Sequence, residues 1–118
     1  MAGPWLLPRI VGAGKARELF FRPAKFDAAK ALKVGLVEEV FEDSDFRAEV
    51  DRIVDEIAGQ APLAIAEMKR NFVNAETMSL KEYIDLETAR HRRTGASEDS
   101  REAFKAFVEK RKPVFNGR

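Results

Sequence analysis

The chain has 118 residues, of which 45% are hydrophobic and 35% are charged, a composition typical of one globular domain. Its 21 Lys and Arg residues nearly balance 20 Asp and Glu residues, so the net charge of +1 creates no general field that would attract nucleic acid or an anionic bilayer. The lack of cysteine excludes disulfides and thiolate metal sites, and the one histidine, His91, cannot build a His-rich metal site.

Membrane insertion and export are not indicated. No apolar run in the sequence approaches the ~18 residues that a transmembrane helix needs. Residues 1–9 lack the basic start and long apolar core of a signal peptide. We therefore expect a soluble, cytoplasmic protein that has neither a membrane partner nor a nucleic-acid partner.

Short helices are predicted at the start of the chain. Pro4 and Pro8 frame a short apolar element that carries Trp5. A helix is predicted over residues 15–21, ending at Arg22 because Pro23 disfavours a helical residue before it.

A second short helix and one strand follow. Asp27 is placed to cap a helix over residues 28–34, and Gly35 stands where a left-handed residue can end it. Residues 36–41 are short, β-branched and aromatic, so they predict a strand. No partner strand is visible elsewhere in the sequence.

The remainder of the sequence predicts four helices. Apolar residues recur at helical spacing over 44–60, and Pro62 is suited to the first turn of the next helix. Ser79 and Glu82 form a capping box for a helix that extends to about Arg93. After a break at residues 94–96, Ser97 caps the last helix.

The last helix combines an apolar face with a cationic end. Phe104, Phe107 and Val108 fall on one face of this helix. The cations are Lys105, Lys110, Arg111 and Lys112. They either complement the helix macrodipole in water or hold a phosphate, and the charge pattern alone leaves both interpretations open.

Five segments, taken in order, resemble the crotonase superfamily, the enoyl-CoA hydratases and isomerases. The segments are Leu7-Pro8-Arg9-Ile10-Val11-Gly12, Lys15-Ala16-Arg17-Glu18-Leu19, Ala28-Ala29-Lys30-Ala31 before Gly35-Leu36-Val37, Ala61-Pro62 before Lys69, and Ala106-Phe107-Val108-Glu109-Lys110-Arg111-Lys112-Pro113 with Phe115 and Gly117-Arg118. Each segment alone is weak evidence for the family, whereas the five segments in this order are specific for it. It covers nearly the entire chain but matches only the C-terminal half of a family member.

The resemblance implies a mainly α fold: the C-terminal helical trimerisation domain of the crotonase fold, with one orphan strand, lacking the N-terminal ββα spiral core. Residues 1–41 would be the end of the core segment, and residues 42–118 the helical oligomerisation domain. We therefore expect the chain to form a trimer or another homo-oligomer. Apolar residues such as Phe20, Phe21, Phe26 and Phe41 would otherwise leave exposed patches.

The resemblance also implies chemistry on acyl-CoA thioesters in fatty acid metabolism, either hydration or double-bond isomerisation. No cofactor is required, since the coenzyme A thioester is the substrate. In this family glycine-rich loops supply two amide donors to the thioester oxygen, and two glutamates act on water and the α-carbon. Neither feature has a counterpart in this sequence, so no catalytic residue is assigned and the isolated chain is expected to be inactive. The alternative is a non-catalytic helical oligomerisation module or a truncated fragment.

The site residues implied by the resemblance are Phe107 and Lys110, which would contact the CoA nucleotide, and Trp5, which would border the acyl pocket. A ring and an ammonium one turn apart suit an adenine and a phosphate. Alternatively, Phe107 packs in a core with Phe104 and Lys110 is solvated. His91 lies four residues after Glu87 and is expected to pair with it rather than to act in catalysis.

Overall fold

The computed structural model describes residues 2–118, and in this range the regular structure is entirely helical. The helices are α1 (Gly3–Val11), α2 (Ala13–Phe21), α3 (Ala28–Lys33), α4 (Phe46–Ala58), α5 (Pro62–Ala75), α6 (Leu80–Gly95) and α7 (Glu98–Glu109). The chain divides into two compact units, one that ends at Glu49 and one that spans Val50–Arg118. Within the described range, none of these helices is both long enough and apolar enough to cross a bilayer.

In the first unit, α1 packs against α2. The short apolar element predicted around Trp5 is part of α1, a nine-residue helix that tolerates Pro8 in its interior. The ring of Phe20 lies so close to Gly3 that a Cβ added at Gly3 would be 2.9 Å from Phe20 Cζ. The predicted helix end at Arg22 is confirmed, since α2 ends at Phe21.

The predicted caps of α3 are also confirmed. Asp27 Oδ1 accepts a hydrogen bond from the Lys30 amide at 2.8 Å, and Gly35 adopts the left-handed φ of +74°. The predicted strand over residues 36–41 is wrong, because this segment is irregular. A strand requires a neighbour for its backbone donors and acceptors. The described residues provide none, and β-propensity alone does not supply one.

In the second unit the helices begin where the sequence predicted. Pro62 opens α5, and the Ser79–Glu82 capping box is present at the start of α6. Ser97 Oγ accepts from the Ser100 amide at 3.0 Å and caps α7. Helix α6 runs on to Gly95, slightly past the predicted end near Arg93.

A buried carboxylate connects α5 to α6. Glu67 is 3% exposed and forms ion pairs with Arg70, at 2.9 Å, with Arg90, at 3.3 Å, and with Arg93. Arg90 also donates to Oδ1 of buried Asn71 at 2.7 Å. Because Arg90 and Arg93 lie on α6 and Glu67 on α5, these contacts set how the two helices pack.

The predicted division of roles between residues 1–41 and 42–118 stays a prediction. The boundary between the compact units falls eight residues further along, between Glu49 and Val50.

Replacing Glu67 with Gln should lower the free energy of unfolding by about 3 kcal/mol, because Arg90 would lose its carboxylate in a largely buried position. Urea denaturation of the 118-residue chain measures this. The matched control is Glu76→Gln at the exposed end of α5, which should change stability by no more than about 0.5 kcal/mol. Equal effects of the two substitutions would contradict a stabilising role of the cluster.

Candidate functional site

The C-terminal end of α7 is a sharp reversal of the chain at Lys110. Lys110 has φ 53° and ψ 40°, in the left-handed region. Its amide donates to the Phe107 carbonyl at 3.2 Å, and the Arg111 amide donates to the Ala106 carbonyl at 3.0 Å. These two bonds form a Schellman motif, which satisfies carbonyls at the helix end.

Both residues implied in nucleotide binding are accessible at this reversal. Phe107 is 82% exposed and Lys110 is exposed, whereas Ala106, just before Phe107, is 1% exposed and faces the interior. Phe104 is also exposed, at 72%. The alternative in which Phe107 packs in a core with Phe104 therefore does not describe this chain.

The residues after Lys110 return along α7 and are held by Glu102. The Glu102 carboxylate forms a bidentate ion pair with the Arg111 guanidinium, with one of the two bonds at 2.9 Å. Glu102 Oε1 also accepts from the Val114 amide at 3.0 Å. Arg111 Nε donates to Glu109 at 2.6 Å, so the guanidinium lies between two carboxylates.

Asp99 holds the last residues of the chain. It is 2% exposed, and its two oxygens accept from the amides of Asn116, at 2.7 Å, and Gly117, at 2.8 Å. The Asp99 amide in turn donates to the Arg118 carbonyl at 3.0 Å. Asp99 and Glu102 are three residues apart on α7, so both lie on one side of the helix and bind the returning segment there.

These contacts perturb the titration of the Glu102–Arg111 pair. Hydrogen bonds from Arg111, and then from the Val114 amide, lower the pKa of Glu102 to about 2. Hydrogen bonds to Glu102 and Glu109 raise the pKa of Arg111 above its ordinary value. The pair is therefore fully charged at neutral pH.

Trp5 lies on α1 in the first unit, whereas Phe107 and Lys110 belong to the second unit. Its ring is half exposed, and the Arg9 guanidinium stacks on it at 3.7 Å from the centroid. Arg9 also donates to the Trp5 carbonyl at 2.6 Å. This cation–π contact orients the indole but occupies one of its faces.

A cleft of about 340 Å³ lies among α5, α6 and α7. Its polar lining residues are Glu67, Asn71, Glu87, Arg90, His91, Thr94, Ser97, Asp99 and Ser100. Glu87 accepts a hydrogen bond from the Tyr83 hydroxyl at 3.0 Å and does not pair with His91. The expected pairing of His91 with Glu87 is therefore wrong. Among residues 2–118, no buried side-chain polar atom lacks a partner, and no cluster of His, Asp and Glu is suited to a metal ion.

Comparison with known proteins identifies the family. A family model described as enoyl-CoA hydratase/isomerase matches residues 1–118. The chain belongs to the enoyl-CoA hydratase/isomerase family. The resemblance in the sequence is thus confirmed, and so is the mainly helical fold class that it implied.

Individual relatives agree with this assignment. The chain is 32% identical over 116 residues to a 1,2-epoxyphenylacetyl-CoA isomerase of Escherichia coli, covering 98% of this chain and 44% of that protein. It is 31% identical over 110 residues to a short-chain-enoyl-CoA hydratase of Clostridium acetobutylicum, covering 93% of this chain and 42% of that protein. The crystal structure of an enoyl-CoA hydratase from Bacillus anthracis matches with a TM-score of 0.87 and 29% identity, over 98% of this chain and 45% of that one. The chain therefore spans somewhat less than half the length of these relatives.

Sequence reasoning found the exposed pair Phe107 and Lys110 but missed the carboxylates of α7 that bind the returning segment. Neither Asp99 nor Glu102 was singled out in the sequence. Their partners follow 9 to 18 residues later in a segment without regular structure. Only the acid-rich start of α7 and the basic residue Arg111 could have suggested such contacts.

The low pKa of Glu102 predicts a specific acid dependence of stability. The folded pKa of about 2 lies below the ordinary value of 4.5, so the stabilisation is fully present above pH 4.5 and is lost as the pH falls toward 2. Glu102→Gln should therefore lower the thermal midpoint at pH 7 and flatten its decline over that window. Thermal melts followed by circular dichroism at each pH test this, and parallel curves for the two proteins would disprove it.

Proposed function

We propose that the chain is the C-terminal portion of an enzyme that acts on acyl-CoA thioesters, by hydration or double-bond isomerisation when whole. The observation that carries the proposal is the match of all 118 residues to the enoyl-CoA hydratase/isomerase family. We further propose that these residues alone do not turn over substrate, that no cofactor is required, and that the protein works in cytoplasmic fatty acid metabolism.

The chemistry supports inactivity of the isolated chain. Stabilising the enolate of a thioester needs preorganised donors close to one oxygen. The seven glycines of this sequence include no adjacent pair that resembles a glycine-rich oxyanion loop. The most enclosed carboxylates, Glu67 and Asp99, are held by arginines and backbone amides, so neither is available as a general base.

The role that we propose for this chain is contact with the CoA nucleotide. The exposed ring of Phe107 provides a face for the adenine, and the Lys110 ammonium provides a donor for a phosphate. Trp5 is proposed to border the acyl group. Because most of the contact surface of a whole enzyme is not in this chain, the isolated site binds CoA weakly.

Turnover and binding test these roles directly. With crotonyl-CoA as substrate, the purified chain should show no hydration above the buffer rate. In a CoA titration followed by ³¹P NMR, Lys110→Ala should weaken binding about fivefold, the loss of one exposed charge-assisted hydrogen bond. Lys105→Ala, an exposed lysine on the same helix, is the control and should change binding by less than twofold. Robust turnover, or an equal loss from both variants, would contradict the assignment.

A second candidate function is a non-catalytic helical assembly module. Large apolar side chains on the helices of the second unit are exposed, and such patches favour association. They include Met68, Phe72 and Val73 on α5, Leu80 and Ile84 on α6, and Phe104, Phe107 and Val108 on α7. Under either candidate we propose that the chain forms a homo-oligomer, with a trimer as the expected form.

Light scattering on the purified chain distinguishes an assembling chain from a monomer. The wild type should have the mass of an oligomer, and Phe72→Glu should shift the population toward monomer because a charge is placed in the apolar patch. Lys69→Glu, at an exposed position on the same helix, is the control for the added charge. A folded wild-type monomer at high concentration would rule out self-assembly.

A further inference from the structure

Lys110 adopts a backbone conformation that a lysine disfavours. In residues 2–118 the other residues with positive φ are glycines: Gly12, Gly35 and Gly117. A side chain with a Cβ is less stable than glycine in the left-handed region, and glycine is the usual residue at this position of a Schellman motif. A strained residue of this kind is a reason to look for a functional group.

The surrounding contacts hold the strained conformation from both sides. Before the reversal, α7 carries Asp99 and Glu102; after it, Arg111 and Val114 bind to Glu102, and Asn116 binds to Asp99. The Glu102–Arg111 ion pair joins residues nine positions apart, and Lys110 lies between them directly before Arg111. Releasing the pair would free the segment after Lys110 to adopt other backbone angles.

We propose that Glu102 and Arg111 are positioning residues, whose ion pair holds the left-handed turn at Lys110 and thereby places the Lys110 ammonium for binding a phosphate group. This inference rests on the proposed CoA contact and assigns it two supporting residues. Arg111 is not itself the phosphate ligand, because its guanidinium is already bound by the carboxylates of Glu102 and Glu109.

Whether removal of the Glu102 charge weakens or strengthens CoA binding distinguishes a positioning role from simple charge repulsion. Glu102 is a negative charge close to the proposed anion site, so its removal alone would strengthen the binding of an anion. If Glu102 instead keeps Lys110 in place, its removal weakens binding. A purely structural role would lower thermal stability but would not weaken the binding of CoA by the folded protein.

The first test compares two glutamates of α7. With CoA as the probe and ³¹P NMR as the readout, well below the thermal midpoint of each variant, Glu102→Gln should weaken binding about threefold. Glu98→Gln, which removes the same charge at the opposite end of the same helix, should leave binding unchanged or slightly tighter. Unchanged or tighter binding by Glu102→Gln overturns the proposal.

The second test relieves the strain. Lys110→Gly should raise the thermal midpoint by roughly 3 to 6 °C, since glycine accepts the left-handed conformation, yet weaken CoA binding about fivefold. In Glu102→Gln, the Cα and Cβ chemical shifts of Lys110 should move away from left-handed values. Unaltered Lys110 shifts in that variant would show that the ion pair does not hold the turn.

The two proposals fail in different ways. If the wild type does not bind CoA, the proposed nucleotide contact is wrong and the placement of Lys110 for that ligand is rejected with it. The Lys110 chemical shifts would still decide whether the ion pair holds the turn. If the wild type binds CoA through Lys110 but Glu102→Gln binds equally well, only the positioning roles of Glu102 and Arg111 are overturned.

Discussion

Ion pairs of one buried carboxylate, Glu67, and hydrogen bonds of another, Asp99, organise the second unit. Among residues 2–118, the buried apolar residues are small alanines, whereas Glu67, Asn71 and Asp99 are the buried polar ones. A carboxylate withdrawn from water is stable only when charged or polar donors surround it. Glu67 therefore requires the arginines of α6 beside it, and Asp99 requires the amides of the returning tail. These requirements set the packing of α5 on α6 and the path of the chain after α7.

The same arrangement leaves the large apolar side chains outside. Phe72 and Phe107 are 69% and 82% exposed. Burial of apolar surface stabilises by roughly 25 cal/mol per Å², and these two side chains do not gain that stabilisation within this chain. Helices with uncovered apolar faces favour contact with further polypeptide. The homo-oligomer proposed above would bury these aromatic rings without breaking the ion pairs inside the unit.

Local features of this fold were predictable from the sequence, and long-range features were not. The caps at Asp27, Ser79 and Ser97 involve residues three apart, so their geometry follows from the spacing alone. The strand over residues 36–41 failed because strand formation depends on a partner that propensity does not report.

In the candidate site, too, the long-range contacts were not predictable from the sequence. Phe107 and Lys110 were selected through a family resemblance, while the exposure of Phe107 and the left-handed turn at Lys110 required coordinates. The pairing of Glu67 with Arg90 and of Asp99 with Asn116 joins residues 23 and 17 positions apart, and no spacing rule connects them. The sequence suggested the proposed contact residues, but not the carboxylates that bind the segment after them.

The macrodipole of α7 does not by itself explain a lysine at position 110. A cation near a helix C-terminus gains about 0.3–1 kcal/mol at an exposed site, no more than the roughly 1–2 kcal/mol that a left-handed conformation costs a residue with a Cβ. Arg111, the next residue, is a cation without a positive φ, and its charge is paired with Glu102 and Glu109. A glycine at 110 would keep that cation and remove the strain. The anion contact proposed for Lys110 would give the charge at this position a role that the stability of the helix does not provide.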